Sequence, residues 1–288
     1  MDLGMVIRPE RDPETLVAEA QRAEAVGFDE LWLWEDCFWA GGIAAAATAL
    51  AATEHITVAL GIMPAPVRNT AFVAMEVAAL ARLQPGRFHA GVGHGVAEWM
   101  RQVGAKPASQ LALLEETVGG LRALLAGATV NAQGRYVRLR AVALGHPPGV
   151  VPPVSVGVRG PRSLELSGRC ADGTVLDSLS SPAYVRWARE RIDAGRAAAG
   201  RTDAHRITVF AYCATDEAGR AAVERHLSAL RGGGGPQAER LGAGPWSAAG
   251  GRDDPFVLAL ADAGADCVVL VPPEPAVPLG WPASGTAR

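Results

Sequence analysis

Two rhythms of apolar and polar residues alternate along this chain. Residues 3–7 (LGMVI), 30–36 (ELWLWED), 55–64 (HITVALGIMP) and 87–93 (RFHAGVG) are short, almost wholly apolar runs. Residues 153–158 (PVSVGV), 173–179 (GTVLDSL), 206–214 (RITVFAYCA) and 265–271 (ADCVVLV) repeat the pattern. Runs of this length, apolar on both faces, predict strands buried in a parallel sheet. Between them the apolar residues recur every three to four positions, as at Leu16, Val17, Ala20 and Ala23, which predicts amphipathic helices. Asp12 and Pro13 mark the start of that first helix and Gly27 its end. Further helices are expected in the alanine-rich run Ala40–Ala52, over 70–83 and 111–125, and at 161–171, 182–199, 217–230 and 255–263.

Strand and helix thus alternate eight times, which suggests a closed (β/α)8 TIM barrel of the α/β class. The distance from the fourth strand to the fifth exceeds one crossover, so an insertion is expected over about 96–152, with a hairpin at 129–144 turning near Gly134. The expected organisation is one domain over 1–271, with a glycine-rich loop at 232–251 and a proline-rich tail at 272–288. An open doubly wound sheet would show the same alternation. Its fingerprint, G-x-G-x-x-G, is matched by Gly91 and Gly93 but fails at Val96, where the third glycine permits close helix packing. In a barrel, chemistry gathers at the C-terminal strand ends. These are WEDCFW (34–39), GIMPAP (61–66), GVGHG (91–95), GVRGPRS (157–163), LDSLSS (176–181) and YCATD (212–216). On this map the glycines of 91–95 border the pocket and let a flat ligand approach the backbone.

Composition narrows the partners. The 288 residues carry a net charge of −3, with 49% apolar and 20% charged residues, so no general attraction to nucleic acid or anionic membrane is expected. The run Ala40–Ala52 is too short to span a bilayer. The N-terminal residues lack a basic stretch followed by an apolar one, which points to the cytoplasm. The four cysteines, Cys37, Cys170, Cys213 and Cys267, are far apart and suggest neither disulfides nor a metal site. Lys106 is the sole lysine, a compositional bias with little chemical content.

Several stretches in order carry a family resemblance. Residues 67–95 (VRNTAFVAMEVAALARLQPGRFHAGVGHG) resemble the signature of the bacterial luciferase-like flavin and deazaflavin F420 oxidoreductases. WEDCFW resembles that family's strand-two end, 131–144 its insertion hairpin, and 153–177 its phosphate-binding unit. The resemblance implies a TIM barrel, often dimeric, that binds F420 or FMN at its mouth. It implies a bulge with a non-prolyl cis peptide near Gly61–Ile62 under one face of the tricyclic ring, with Met63 and Pro64 beside it. Asp36, His94 and Gly95 belong to the implied cofactor site. The residues of VRGPRS make physical sense as an anion site: Gly160 precedes Pro161 at a helix start, where free N–H groups and the helix dipole favour a phosphate, and Arg159, Arg162 and Ser163 add donors.

Departures from the family are equally specific. Its sugar-phosphate dehydrogenase branch has a catalytic His after the strand-two Asp, where this chain has Cys37, and a catalytic Glu after the strand-four glycines, where it has Val96. Glu98 lies two residues further on. The catalytic candidates left are His94, Asp36 and Cys37. His94 is either a proton carrier, with a reference pKa of about 6.5, or a turn histidine bonded to the backbone. Cys37 is either reactive or a small buried filler. Trp34 and Trp39 line a flat pocket or pack in the core, and Asp177 is a further candidate at a strand end. The expected function is hydride transfer between C5 of F420 and a small organic substrate, in a protein that forms a homodimer. The alternatives are an FMN-dependent monooxygenase and a non-catalytic flavin-binding relative.

Overall fold

In the computed structural model the chain runs β1 (Asp2–Ile7), α1 (Leu16–Val26), β2 (Glu30–Leu33), α2 (Gly42–Ala52), β3 (Thr57–Pro64), α3 (Thr70–Leu83) and β4 (Phe88–Gly93). An insertion with α4 (Ala97–Gln102), α5 (Gln110–Leu125), β5 (Val130–Gln133) and β6 (Arg138–Val142) follows. Then come β7 (Val154–Gly157), α6 (Pro161–Cys170), β8 (Gly173–Leu176), α7 (Pro182–Ala198), β9 (Arg206–Cys213) and α8 (Glu217–Gly232). A two-residue β10 (Trp246–Ser247), α9 (Pro255–Asp262) and β11 (Cys267–Val271) complete it. The structure describes residues 1–232, 246–247 and 251–272, with main chain alone at 229–232 and 246–247. The glycine-rich loop and the proline-rich tail expected from the sequence lie almost wholly outside the described residues.

Parallel pairing runs β11–β1–β2–β3–β4–β7–β8–β9, and β9 pairs back onto β11, closing an eight-stranded (β/α)8 barrel. The strands are buried on both faces because side chains alternate. Outward residues such as Leu3, Met5, Leu31, Leu33, Val156 and Val209 join the layer beneath the helices. Inward residues fill the barrel: Val6, Trp32, Ala59, Val175, Phe210, Cys267, Val269 and Val271 form one apolar cluster. Below it the N-terminal end is polar and sealed. Glu30 accepts hydrogen bonds from Trp32 Nε1 (2.7 Å), Arg206 Nη2 (2.8 Å) and Cys267 Sγ (3.2 Å), and His89 Nε2 meets Ser155 Oγ at 2.7 Å. Burial holds the His89 imidazole below its ordinary pKa, so it sits there neutral.

The inserted segment is tied down by one carboxylate. Glu116 on α5 accepts from the main-chain N–H groups of Arg135, Tyr136 and Val137, at 2.7 to 3.0 Å, and so fixes the β5–β6 hairpin. The hairpin bends near Gly134 as expected, with Gly134 N–H bonded to the Val137 carbonyl.

Element boundaries shift where local turns offer the backbone another partner. β2 stops at Leu33 instead of Asp36, because the Trp39 N–H turns back onto the Asp36 carbonyl. β8 stops at Leu176 instead of Leu179, because Asp177 Oδ1 accepts from the Leu179 N–H in an Asx turn. Asp12 does not cap α1 through its side chain. Its carbonyl accepts from Thr15 N and Oγ1 in a 3-10 turn, and the α-helix starts at Leu16. Gly27 ends it in the left-handed region, φ 93°.

The glycines of β4 are required by packing within the barrel wall. The pairing of β3 with β4 slips between Leu60 and Met63, and the Gly61–Ile62 peptide there is cis. Ile62 packs across the barrel wall: a Cβ on Gly93 would lie 1.8 Å from Ile62 Cδ1, and one on Gly157 would lie 2.9 Å from it. A Cβ on Gly91 would meet the Leu60 carbonyl at 2.1 Å. These glycines therefore make room for β3 and Ile62. Gly93→Ala should destabilise the fold by about 1–3 kcal/mol through overpacking, and Ile62→Ala in the same chain should recover part of it. Urea unfolding of both variants checks this; an unchanged midpoint in Gly93→Ala would show that the wall has slack.

Candidate active site

The inward rows that fill the barrel continue past the strand ends into its mouth. β1 contributes Gly4 and Val6, and the next residue in step is Arg8. β2 contributes Glu30 and Trp32, and then Trp34. β9 contributes Arg206, Thr208 and Phe210, and then Tyr212. Ile62 lies on the β3 bulge, His94 follows β4, Arg159 follows β7, and Asp177 follows β8. These side chains meet. The Arg8 guanidinium lies 5.7 Å over the Trp34 ring and pairs with Glu10 at 2.8 Å. Trp34 packs edge-to-face on Phe210, centroids 5.4 Å apart. Arg159 pairs with Asp177 at 3.3 Å, and its carbonyl accepts from Tyr184 Oη at 2.5 Å. Tyr212 Oη lies 2.9 Å from His226 Nε2, which reaches in from α8.

Burial sets the charge states. The Asp36 carboxyl is pushed up to about 6, first by burial and then by the negative charge of Glu10, with Arg8 opposing. Burial and the carboxylates of Glu35 and Asp36 push the Cys37 thiol up as well, so it stays protonated, unlike an activated nucleophile. Glu35 is ion-paired to Arg68. Burial holds His94 below its ordinary pKa; the Gln110 carbonyl opposes this and the Arg159 charge adds to it. Among the described residues two buried ring nitrogens near the mouth lack a hydrogen-bond partner, His94 Nδ1 and Trp34 Nε1.

Each residue singled out in the sequence has a definite place. Gly61 and Ile62 form the inner wall, whereas the Met63 side chain points outward into the helix-facing core and Pro64 is buried. Gly95 has φ 68° and stacks against Met100 and Pro64. At the start of α6, Ser163 Oγ accepts from Gly160 N–H (3.1 Å) and donates to the Gly160 carbonyl (2.9 Å), and Ser163 N–H bonds the same carbonyl. Pro161 has no N–H, so the Arg162 amide is the donor that this turn leaves over. Both arginines flanking Gly160 are exposed. Trp39 is 60% exposed and belongs to neither pocket nor core. A second cis peptide, Cys37–Phe38, has no sequence signature.

Arg8, Glu10, Tyr212 and His226 were not among the sequence candidates. Arg8 and Tyr212 are legible in principle, because each is two residues beyond an inward-facing position on its strand. His226 is not, since it reaches the mouth from a helix.

Comparison with known proteins places this arrangement. The family model for luciferase-like monooxygenases matches residues 1–267. The chain belongs to the luciferase-like monooxygenase family. A 5,10-methylenetetrahydromethanopterin reductase from Methanolobus tindarius is 31% identical over 214 residues, covering 74% of this chain and 64% of that protein. An F420-dependent glucose-6-phosphate dehydrogenase from Intrasporangium calvum is 31% identical over 207 residues, covering 66% of this chain and 62% of that protein. The luciferase-like chain thus spans a little under two thirds of these curated relatives. Among solved structures, an F420-dependent secondary alcohol dehydrogenase in complex with an F420–acetone adduct superposes with a TM-score of 0.80 at 21% identity, over 94% of this chain and 92% of that one. At that identity the likeness speaks for the shared barrel.

No helix among the described residues of this luciferase-like barrel is long and apolar enough to cross a membrane. The described residues also contain no cluster of three His, Cys, Asp or Glu side chains placed to hold a metal.

The raised Asp36 makes stability depend on pH with a defined sign. Its folded pKa, about 6, lies above the ordinary 3.8, so the folded state binds the proton more tightly. The resulting contribution is fully present below about pH 4 and is lost as pH rises through 6. Asp36→Asn should therefore gain stability over wild type as pH goes from 4 to 8. Urea unfolding at both ends measures it, and a pH-independent difference would remove Asp36 from the buried set.

Proposed function

We propose that this chain is an F420-dependent oxidoreductase that moves hydride between deazaflavin C5 and a small organic substrate. The observation that carries the reading is the mouth itself: Gly61 and Ile62 form an inner wall on the β3 bulge, and Arg8, Trp34, Arg159, Asp177 and Tyr212 continue the inward rows around the same opening. A planar heteroaromatic ring with polar edges suits a mouth that combines an aliphatic and aromatic wall with charged groups at its rim. The names of the curated relatives, several of them F420-dependent dehydrogenases, support the same cofactor.

In this reading Ile62 and Gly61 support the ring, with Met63 and Pro64 contributing main chain. Asp36, His94 and Gly95 meet its polar edges. The cofactor phosphate sits at the start of α6, held by the Arg162 amide, the helix dipole and the Arg159 and Arg162 guanidinium groups, with Gly160 and Ser163 shaping the turn. The bound deazaflavin supplies the hydride chemistry. The protein holds the ring against one wall, and Trp34, Phe210 and Trp32 keep water from beneath it. Asp36, with a pKa of about 6, exchanges protons near neutral pH.

We also propose a homodimer. Phe72 and Met75, one turn apart on α3, are 65% and 56% exposed, and such a face favours burial against a second copy. The four cysteines form no disulfide in the fold, which fits a reducing compartment such as the cytoplasm.

Titration of the purified protein with F420 and with FMN tests the cofactor. F420 should bind more tightly, and Ser163→Asp should weaken it roughly tenfold by placing like charge at the phosphate. Binding of FMN alone would replace this reading with the monooxygenase one. Phe72→Glu should yield a monomer by light scattering; a wild type that is already monomeric would refute the dimer.

A further inference from the structure

Tyr212 closes the inward row of β9 and stands in the mouth above Phe210. Its phenol is engaged from α8. His226 Nε2 lies 2.9 Å from the phenol oxygen, with the rings edge-to-face and their centroids 5.2 Å apart. Tyr212 is half-buried, whereas His226 is exposed on α8. One imidazole thus connects a phenol in the barrel mouth to bulk water. Nothing in the cofactor site uses this pair.

We propose that Tyr212 is the residue that gives and takes the proton at the substrate heteroatom, and that His226 positions the phenol and passes its proton to and from water. The pair fits a substrate with a polarised C=O or C=N bond, or the corresponding alcohol or amine in the reverse direction. This rests on the F420 reading. In the reducing direction the substrate carbon accepts hydride, and the π pair moves to the heteroatom. That heteroatom takes the proton from Tyr212 Oη as the O–H bond breaks. The phenolate is reprotonated from His226 Nε2–H, and Nδ1 takes a proton from water; exchange with water then resets the ring. Both electrons come from the reduced deazaflavin, which leaves oxidised.

The surroundings suit these roles. Burial raises the Tyr212 pKa, opposed by the Ser178 hydrogen bond and the Arg8 charge, with Asp177 adding to the rise, so the phenol keeps its proton near neutral pH. Burial and the charge of Arg8 lower that of His226, so the imidazole is neutral and can pass a proton on. For the phenol hydrogen to point at substrate, Nε2 must carry the imidazole proton and donate it to Oη.

Nitrogen-15 NMR of histidine-labelled protein without cofactor reads that tautomer directly. His226 should be protonated at Nε2, and Tyr212→Phe should shift its ring resonances while the melting temperature stays close to wild type. A His226 protonated at Nδ1 alone, with Nε2 accepting from the phenol, would overturn the proposal. With F420 bound and reduced, hydride transfer to 4-nitrobenzaldehyde should fall about 100-fold or more in Tyr212→Phe, with the F420 Kd within threefold of wild type. His226→Gln should fall less, and its pH–rate profile should lose the limb set by the imidazole. F420 binding with equal rates in wild type and Tyr212→Phe would overturn the proton-donor role. Failure of wild type to bind F420 would instead overturn the cofactor reading.

Discussion

Trp32 is the side chain around which this barrel is assembled. A closed parallel barrel must be filled from within by its own strands, and here one indole spans the centre. Glu30 holds its Nε1 at 2.7 Å, and Arg206, across the barrel on β9, holds Glu30. Gly61 lacks a Cβ because one there would stand 2.5 Å from the Trp32 ring. The β3 bulge, the inward Ile62, and the glycines of β4 and β7 that accommodate it all follow from how the space above this indole is shared. A buried ion pair at the base is weak as a source of stability, but breaking it leaves a buried charge without its partner. Its evident use is to fix which way Trp32 points.

Much of this was legible in the chain. Strands buried on both faces and helices with a single apolar stripe differ in period, so the eight repeats and the inserted hairpin could be read from spacing alone. The failure of Val96 to complete the dinucleotide fingerprint separated the barrel from the open sheet. Three kinds of feature resisted. Strand ends such as Leu33 and Leu176 depend on local turns, one between main-chain groups of Asp36 and Trp39 and one through the Asp177 side chain. The reason for Gly91 and Gly93 is a residue thirty positions earlier, and spacing in sequence does not reveal which side chain fills a neighbouring strand's space. His226 enters the mouth from the far end of a strand–helix unit, a contact set only by how α8 packs.

The departures at Cys37 and Val96 also look different with the fold in view. They remove two ionisable groups from the positions where a sugar-phosphate dehydrogenase carries them, and a high-pKa thiol does not replace a histidine. Yet the mouth is not empty of acid–base chemistry. Arg8, Glu10 and Asp36 form one charged group, Arg159 and Asp177 a second, and Tyr212 with His226 a third. They come from different strands around the same rim. Such an arrangement lets a barrel change its reaction while its framework stays in place.

The polar seal at the base of the barrel has a kinetic meaning. Glu30, Arg206, His89 and Ser155 close that end, so molecules enter and leave by the mouth alone. On the F420 reading, a flat cofactor against Ile62 would lie deepest and be covered by whatever occupied the space above it. Binding would then be compulsory in order: cofactor first, substrate second, with product departing before the spent cofactor is released. A vessel with a single opening dictates sequence without any moving part, and in steady state it would betray itself as inhibition by excess substrate, trapped over the wrong form of the cofactor.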